Sequence, residues 1–256
     1  MTVELVSLRE RPDLLGKADE LVASLWPTFV LKDPVAGRYW PKLSSPSLAP
    51  FQALAVETGS GTQTVVAFAN AVPFALDRDG DPATMLPDDG WDGVLRDGVE
   101  LMLRGEQANA LSALAITVHP AQRGSGLAER LIGAMKQAAL TAGLSTLVAP
   151  IRPTRKALYP LQSFDEYCAW TRADGLPFDP WIRTHSRLGA RIVKVALRSM
   201  TVSGTVASWE AWTGLRFPAT GCYAVPDALA PVRIDRAANT GTYVEPNLWM
   251  KHPLSG

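Results

Sequence analysis

Apolar positions along about the first 150 residues alternate between strand-like and helix-like patterns. The helical pattern places apolar residues three and four positions apart, and the strand pattern gives short apolar runs between turn residues. The predicted strands are residues 3–7, 51–57, 64–73, 114–118 and 146–151. The predicted helices are residues 12–26, 93–104 and 127–142, with a helical or irregular stretch at 39–43. Gly59-Ser60-Gly61 predicts a hairpin, and residues 77–90, rich in Asp, Gly and Pro, predict a surface loop.

The junction between a strand and a helix is the most informative stretch. Residues 116–128 read Ile-Thr-Val-His-Pro-Ala-Gln-Arg-Gly-Ser-Gly-Leu-Ala, and an amphipathic helix follows that stops at Gly143. A glycine loop that opens a helix directs free backbone N–H groups and the positive end of the helix dipole at an anion. The loop lacks the Gly-Lys-Ser/Thr ending of a P-loop. An ordinary β–α turn with capping glycines is the alternative interpretation.

In this context the pattern Arg-x-x-Gly-x-Ala (Arg123, Gly126, Ala128) resembles motif A of the GCN5-related N-acetyltransferase (GNAT) superfamily. The resemblance implies an α/β (α+β) fold: a mixed, twisted central sheet flanked by helices, in which a splayed strand pair binds coenzyme A. It also implies that the loop holds the pyrophosphate of an acyl-CoA substrate. The implied cofactor-binding residues are Ile116, Val118, Arg123, Gly124, Ser125, Gly126, Leu127 and Ala128.

Several strings after residue 150 resemble one branch of this superfamily, the loading domains of polyketide synthases of the curacin type. They include Arg-Pro-Thr-x-Lys (152–156), Arg-x-His-x-Arg-Leu-Gly-Ala (183–190) and Glu-Pro-Asn-x-Trp-Met (245–250). The resemblance implies decarboxylation of a malonyl- or methylmalonyl-type thioester, with or without transfer of the acyl group to the thiol of an acyl carrier protein. It implies His185, Thr154 and Trp26 as catalytic residues, with Trp40 close to Trp26 in the sequence. Gly189 is predicted to end the helix that carries His185.

A conventional acetyltransferase acting on an amine is the alternative function. Amine acetylation needs a base to take the proton of the ammonium group. Between Asn109 and Arg152 the only carboxylate is Glu129, which lies in the motif helix, so the sequence argues against amine transfer. A third possibility is a coenzyme A-binding module without catalytic activity.

Composition narrows the function classes further. The 256 residues carry 25 basic and 25 acidic side chains, which gives no indication of a nucleic-acid or membrane partner. Two cysteines, Cys168 and Cys222, and three histidines form neither a disulfide framework nor a recognisable metal site, so we expect a cytoplasmic protein without a metal. We expect a single domain over residues 1–256, with a core to about 200 and a C-terminal extension over about 201–256.

Overall fold

The computed structural model describes residues 2–59, 61–76 and 85–254. Its centre is a mixed nine-stranded sheet in the order β1-β2-β3-β4-β5-β9-β8-β7, and β6 also pairs with β9. The strands are β1 (Thr2–Ser7), β2 (Gln52–Gly59), β3 (Thr62–Phe74), β4 (Ala110–Val118), β5 (Thr146–Ile151), β6 (Arg191–Gly204), β7 (Gly221–Tyr223), β8 (Val232–Asp235) and β9 (Thr240–His252). The helices are α1 (Leu15–Leu25), α2 (Pro34–Tyr39), α3 (Gly90–Leu103), α4 (Leu127–Thr141), α5 (Phe164–Ala169), α6 (Pro180–Arg187) and α7 (Val206–Thr213). The predicted α/β architecture is confirmed.

Most elements predicted for the first half of the chain are present, with shifted ends. The predicted helix at 12–26 begins as a 3-10 turn at Pro12–Leu14 and continues as α1. Helix α3 begins three residues before the predicted start at 93, because Gly90 adopts a φ of 47° that turns the chain into the helix. Of the predicted loop at 77–90, residues 77–84 lie outside the described residues, as does Ser60 of the predicted hairpin.

The motif helix α4 packs on a face of the sheet built from small residues. Its apolar stripe, from Leu127 to Ala139, contacts a cluster that includes Ala67, Ala69 and Ala71 of β3. Small side chains let a helix approach a sheet closely. The helix ends at Gly143, whose φ of 70° allows Leu144 N–H to donate back to the Ala139 carbonyl. This packing fixes where the first turn of α4 lies relative to the end of β4.

Residues beyond 200 contribute a central strand. β9 pairs antiparallel with β5 from Leu147↔His252 to Ile151↔Leu248 and, near its start, with β8 along the same edge, whereas β6 pairs along its opposite edge. The sheet therefore continues through the segment that we expected to be an extension. None of the helices in the described part of the chain is long and apolar enough to cross a membrane.

Candidate functional site

A slot opens in the sheet between its two parallel strands. β4 and β5 are paired only from Ala110↔Thr146 to Ser112↔Val148, although both strands continue beyond this point. On the other side of β4, the register with β3 shifts between Asn70 and Ala71. Such an irregularity bends a strand and increases its twist. The carboxyl-terminal halves of β4 and β5 therefore diverge, as the splayed pair of the sequence prediction requires.

The glycine loop lies at the end of β4, beside this slot. Gly124 and Gly126 have φ values of 80° and 78°, a conformation that favours glycine, and Gly126 is the N-cap of α4. Among the described residues, no side chain caps this helix terminus. The first N–H groups of α4 therefore face outward beside exposed Arg123. This arrangement presents backbone donors to an anion at the mouth of the slot.

The other predicted cofactor residues lie on β4 (Ile116 and Val118) and in the loop and first turn of α4 (Ser125, Leu127 and Ala128). Ile116 and Val118 of β4 are half-buried and pack against the cluster that includes the motif helix. Thr117 lies between them on the opposite face of β4, because successive side chains of a strand alternate. Trp26, at the end of α1, donates its indole N–H to Thr117 Oγ1 over 2.8 Å. The structure thus places Trp26 on the face of β4 away from the motif helix.

His185 and Thr154 occupy two different environments. His185 is buried near the end of α6, where its Nδ1 lies 2.7 Å from Nε2 of His252 and its ring meets that of Trp181 edge-on. Thr154 is exposed, and its backbone N–H donates to Asp179, the N-cap of the same helix. The two residues are therefore associated with opposite ends of α6, and neither shares a described hydrogen bond with Trp26. Gly189 follows α6 with a φ of 84°, which confirms the predicted end of that helix.

Sequence reasoning missed a group of three buried carboxyl groups near the end of β5. They are Asp33 at the start of α2, Asp92 in the first turn of α3 and Glu245 of β9, which are 1 %, 8 % and 1 % exposed. We call these three residues the carboxylate cluster. They are far apart in the sequence, and only the folded chain brings them together. The one signal for any of them is Asp33-Pro34, which is typical of a helix N-cap.

The members of the carboxylate cluster differ in their partners. Glu245 accepts hydrogen bonds from Arg152, at the exit of β5, and from the Tyr243 hydroxyl. Asp33 accepts from the N–H of Ala36, and Asp92 accepts from the N–H of Thr201. Within the described part of the chain, Oδ2 of Asp33 and Oδ1 of Asp92 are buried and have no hydrogen-bond partner. Burying carboxylate oxygens without donors is costly, so the cluster favours a cation or a proton.

Burial also changes the proton affinity of the cluster. Desolvation, followed by the nearby charge of Asp33, raises the pKa of Asp92 to about 8. Desolvation raises the pKa of Asp33 as well, against the hydrogen bonds that it accepts from backbone N–H groups. Asp92 follows Trp91, whose indole N–H donates to the Leu114 carbonyl of β4 over 2.9 Å. Asp92, with a pKa of about 8, therefore lies in the helical turn that contacts β4 where the slot opens.

One protein of known activity resembles the chain along nearly all of its length. Arginine N-acetyltransferase avaD of Aspergillus versicolor is 34 % identical over 270 residues, covering 95 % of this chain and 91 % of that protein. The chain belongs to the GNAT superfamily. No model of a protein family matches it.

Two solved GNAT structures resemble the fold over its full length. The loading GNATL domain of CurA from Lyngbya majuscula has a TM-score of 0.61 at 15 % identity and covers 99 % of this chain and 98 % of that domain. The GphF GNAT-like decarboxylase in complex with isobutyryl-CoA has a TM-score of 0.55 at 16 % identity, with 99 % and 100 % coverage. At these identities the likeness concerns the fold, and it extends to the β6–β9 region.

The buried histidine pair makes the stability of this GNAT protein depend on pH. Desolvation is the largest cause that lowers the pKa of His185 to about 3 and that of His252 to about 4, against an unfolded value near 6.5. Their stabilising contribution is therefore present above pH 6.5 and is lost as the pH falls toward these values. We expect a loss of about 2–4 kcal/mol in unfolding free energy between pH 6.5 and 5. Denaturant titrations across this range measure it.

A variant of His252 identifies the source of this loss. In His252→Gln one of the two titrating rings is absent, so the stability lost between pH 6.5 and 5 should be roughly halved. His119, which is exposed, provides the matched control in His119→Gln. Equal acid sensitivity of the wild type and His252→Gln would show that the pair does not titrate as described.

Proposed function

We propose that this protein transfers the acetyl group of acetyl-CoA to a nitrogen of arginine or of a similar small cationic molecule. The carboxylate cluster beside the slot carries this proposal, because it supplies the acidic groups that amine transfer needs and that strands β4 and β5 lack. The 34 % identity to an arginine N-acetyltransferase supports it. In the proposal the coenzyme A pyrophosphate binds the loop at residues 123–128, and the pantetheine arm follows β4 through the slot.

The reaction requires the acceptor nitrogen to lose a proton before it attacks. In the proposal Asp92 in its carboxylate form takes this proton, and the neutral nitrogen attacks the thioester carbon. The new C–N bond forms, the C–S bond breaks, and the coenzyme A thiolate leaves and takes up the second proton that the nitrogen loses as it becomes an amide. General base catalysis of this kind contributes about 10²–10⁴ in rate. Asp33 contributes negative charge that attracts a cationic acceptor to the same place, whereas the charge of Glu245 is balanced by Arg152.

Decarboxylation of a malonyl-type thioester, with transfer to a carrier-protein thiol, is the second proposal. The observation that favours it is the buried, neutral imidazole of His185, whose Nε2 has no hydrogen-bond partner among the described residues. Such a ring nitrogen can donate to an enolate oxygen. Amine transfer is the first choice, because Thr154 and Trp26, the other residues predicted for decarboxylation, lie in separate environments.

Mass spectrometry of two parallel reactions tests both proposals. We expect acetyl-CoA and L-arginine to give acetylarginine and free coenzyme A. We expect malonyl-CoA alone to remain intact, and a carrier protein with a phosphopantetheine thiol to stay unacylated. Acetyl-CoA formed from malonyl-CoA, with no acetylated amine, would replace the first proposal by the second. Amines with only one cationic group, such as butylamine, serve as controls that test whether a second cationic group on the acceptor is needed.

A further inference from the structure

A cavity lies between α1 and the sheet, separate from the carboxylate cluster. It has a volume of about 230 Å³ and its walls are largely apolar, formed by leucines and Phe68. The polar and aromatic groups that line it include Asp19, Trp40, Gln52 and Asn70. Ligand sites are typically apolar pockets in which a few polar groups determine orientation. The chemistry of these few groups therefore indicates what the cavity can bind.

The floor of the cavity presents a hydrogen-bond acceptor. The amide nitrogen of Gln52 donates to two backbone carbonyls, those of Leu48 at 2.9 Å and Ala71 at 2.8 Å, which fixes the orientation of this amide. Its oxygen must then accept, and it does so from Nδ2 of Asn70 at 3.1 Å. Oδ1 of Asn70 is left without a partner among the described residues, although Asn70 is only 1 % exposed. A buried carbonyl oxygen without a hydrogen bond is costly, so binding of a ligand that donates to it is favoured.

The rim and the wall of the cavity also favour a donor that carries positive charge. Asp19 lies at the rim on α1, and no described residue forms a salt bridge with it. Trp40 lines the wall, and its ring stacks on Trp91 at 5.9 Å. A carboxylate, a carbonyl oxygen and an aromatic face are the groups that bind guanidinium and ammonium ions. The hydroxyl of Ser44, which also lines the cavity, donates to the Pro41 carbonyl.

The cavity lies one strand away from the slot, because it borders β3 and β3 pairs with β4. Asn70 is the register partner of Ala115 on β4, next to the irregularity in that strand. Trp40, in the cavity wall, stacks on Trp91, which donates to the Leu114 carbonyl of β4. A small molecule with two nitrogen groups can therefore place one in the cavity while the other lies near β4.

We infer that this cavity binds one cationic nitrogen group of the acceptor, namely the group that does not receive the acetyl group. This cation lies between the Asp19 carboxylate, the Asn70 carbonyl oxygen and the Trp40 ring. This inference rests on the proposed amine transfer, and it adds the part of the site that selects a dicationic acceptor. For arginine the bound cation is either the guanidinium or the α-ammonium group, and the experiment separates the two.

Calorimetric titration of the full-length protein tests the inference. L-Arginine is expected to bind Asp19→Asn about tenfold more weakly than wild type, because a charged hydrogen-bond partner is lost. Asp19 is exposed, so this variant should fold normally. Glu20→Gln removes the same charge from the next residue of α1, which does not line the cavity, and should bind arginine as the wild type does.

Two analogues identify the bound group. If the guanidinium occupies the cavity, Asp19→Asn also weakens binding of 5-guanidinopentanoate and leaves binding of L-citrulline unchanged. If the α-ammonium group occupies the cavity, Asp19→Asn weakens binding of L-citrulline and leaves binding of 5-guanidinopentanoate unchanged. Unchanged arginine affinity in Asp19→Asn, or no arginine binding by the wild type, would overturn the inference.

The kinetics distinguish this failure from failure of the proposed function. If the wild type acetylates arginine and Asp19→Asn leaves both Kd and KM unchanged, only the role of the cavity is wrong. If arginine binds in an Asp19-dependent manner and no acetylarginine forms, the cavity assignment holds and the proposed reaction is wrong. In the expected case KM for arginine rises about tenfold and kcat changes little.

Discussion

Replacing Gly126 with aspartate is expected to lower the affinity for coenzyme A at least about 100-fold. The new carboxylate stands at the N-cap of α4, where the pyrophosphate is proposed to bind. At an effective dielectric constant of about 20, two like charges about 4 Å apart cost about 4 kcal/mol, and about 1.4 kcal/mol corresponds to a tenfold change. Calorimetric titration with coenzyme A measures the loss, and acyl transfer should fall with it.

Gly143→Asp is the matched control for this change. Gly143 lies just beyond the other end of the same helix and has a φ of 70°, close to the 78° of Gly126, so both variants carry similar backbone strain. Within the described residues, and apart from the glycine and its two chain neighbours, no atom lies within 4 Å of the position of an added Cβ at either glycine. Gly143→Asp should keep normal coenzyme A affinity. Equal affinity of the two variants for coenzyme A would show that the pyrophosphate does not bind at Gly126.

The parts of the site that could be predicted are those encoded by consecutive residues. A strand, a glycine loop and a helix are local structures, and residues 114–142 contain the full pattern of apolar positions, glycines and caps. Their mutual placement follows from the short connection between them. The loop geometry at Gly124 and Gly126 and the fold class could therefore be predicted from the sequence.

The carboxylate cluster could not be predicted, because its members come from segments without local constraint on one another. Asp33 reads as a helix cap, Asp92 as an ordinary acidic residue in a first helical turn, and Glu245 as a polar residue in a strand. β9 is buried continuously from Glu245 to Met250, so it lacks the alternation of polar and apolar residues that marks a half-exposed strand. Because polar residues occur inside this buried strand, its sequence pattern indicates neither a strand nor a functional site.

The same limit applies to His185. The sequence places this residue on a helix that ends at Gly189, and the structure has that helix. Its partner, His252, lies at the end of β9, and only the pairing of β9 with β5 brings the two rings together. Sequence spacing therefore identified the helix and left open what the imidazole contacts.

Replacing Asp92 with asparagine is expected to lower kcat for acetyl transfer about 10²–10³-fold while coenzyme A affinity is retained. Asparagine keeps the shape of the side chain and cannot accept the proton. In the wild type the rate should rise with pH around a midpoint near 8, because the pKa of Asp92 is about 8 and only its carboxylate form is a base. The residual activity of Asp92→Asn should not show this rise of the rate around pH 8. Stopped-time assays from pH 6 to 9 measure both effects.

Stability separates this loss of activity from misfolding. The raised pKa of Asp92 means that its stabilising contribution is complete below the unfolded value near 3.8 and is lost as the pH rises toward about 8. A neutral asparagine side chain carries no such penalty, so Asp92→Asn should be more stable than the wild type at pH 8, by about 1–3 kcal/mol. Asp97→Asn, which changes an exposed carboxylate on the same helix, should alter neither property. Full activity in Asp92→Asn would remove the carboxylate cluster from proton transfer, and a less stable variant would contradict the burial of an unpartnered charge.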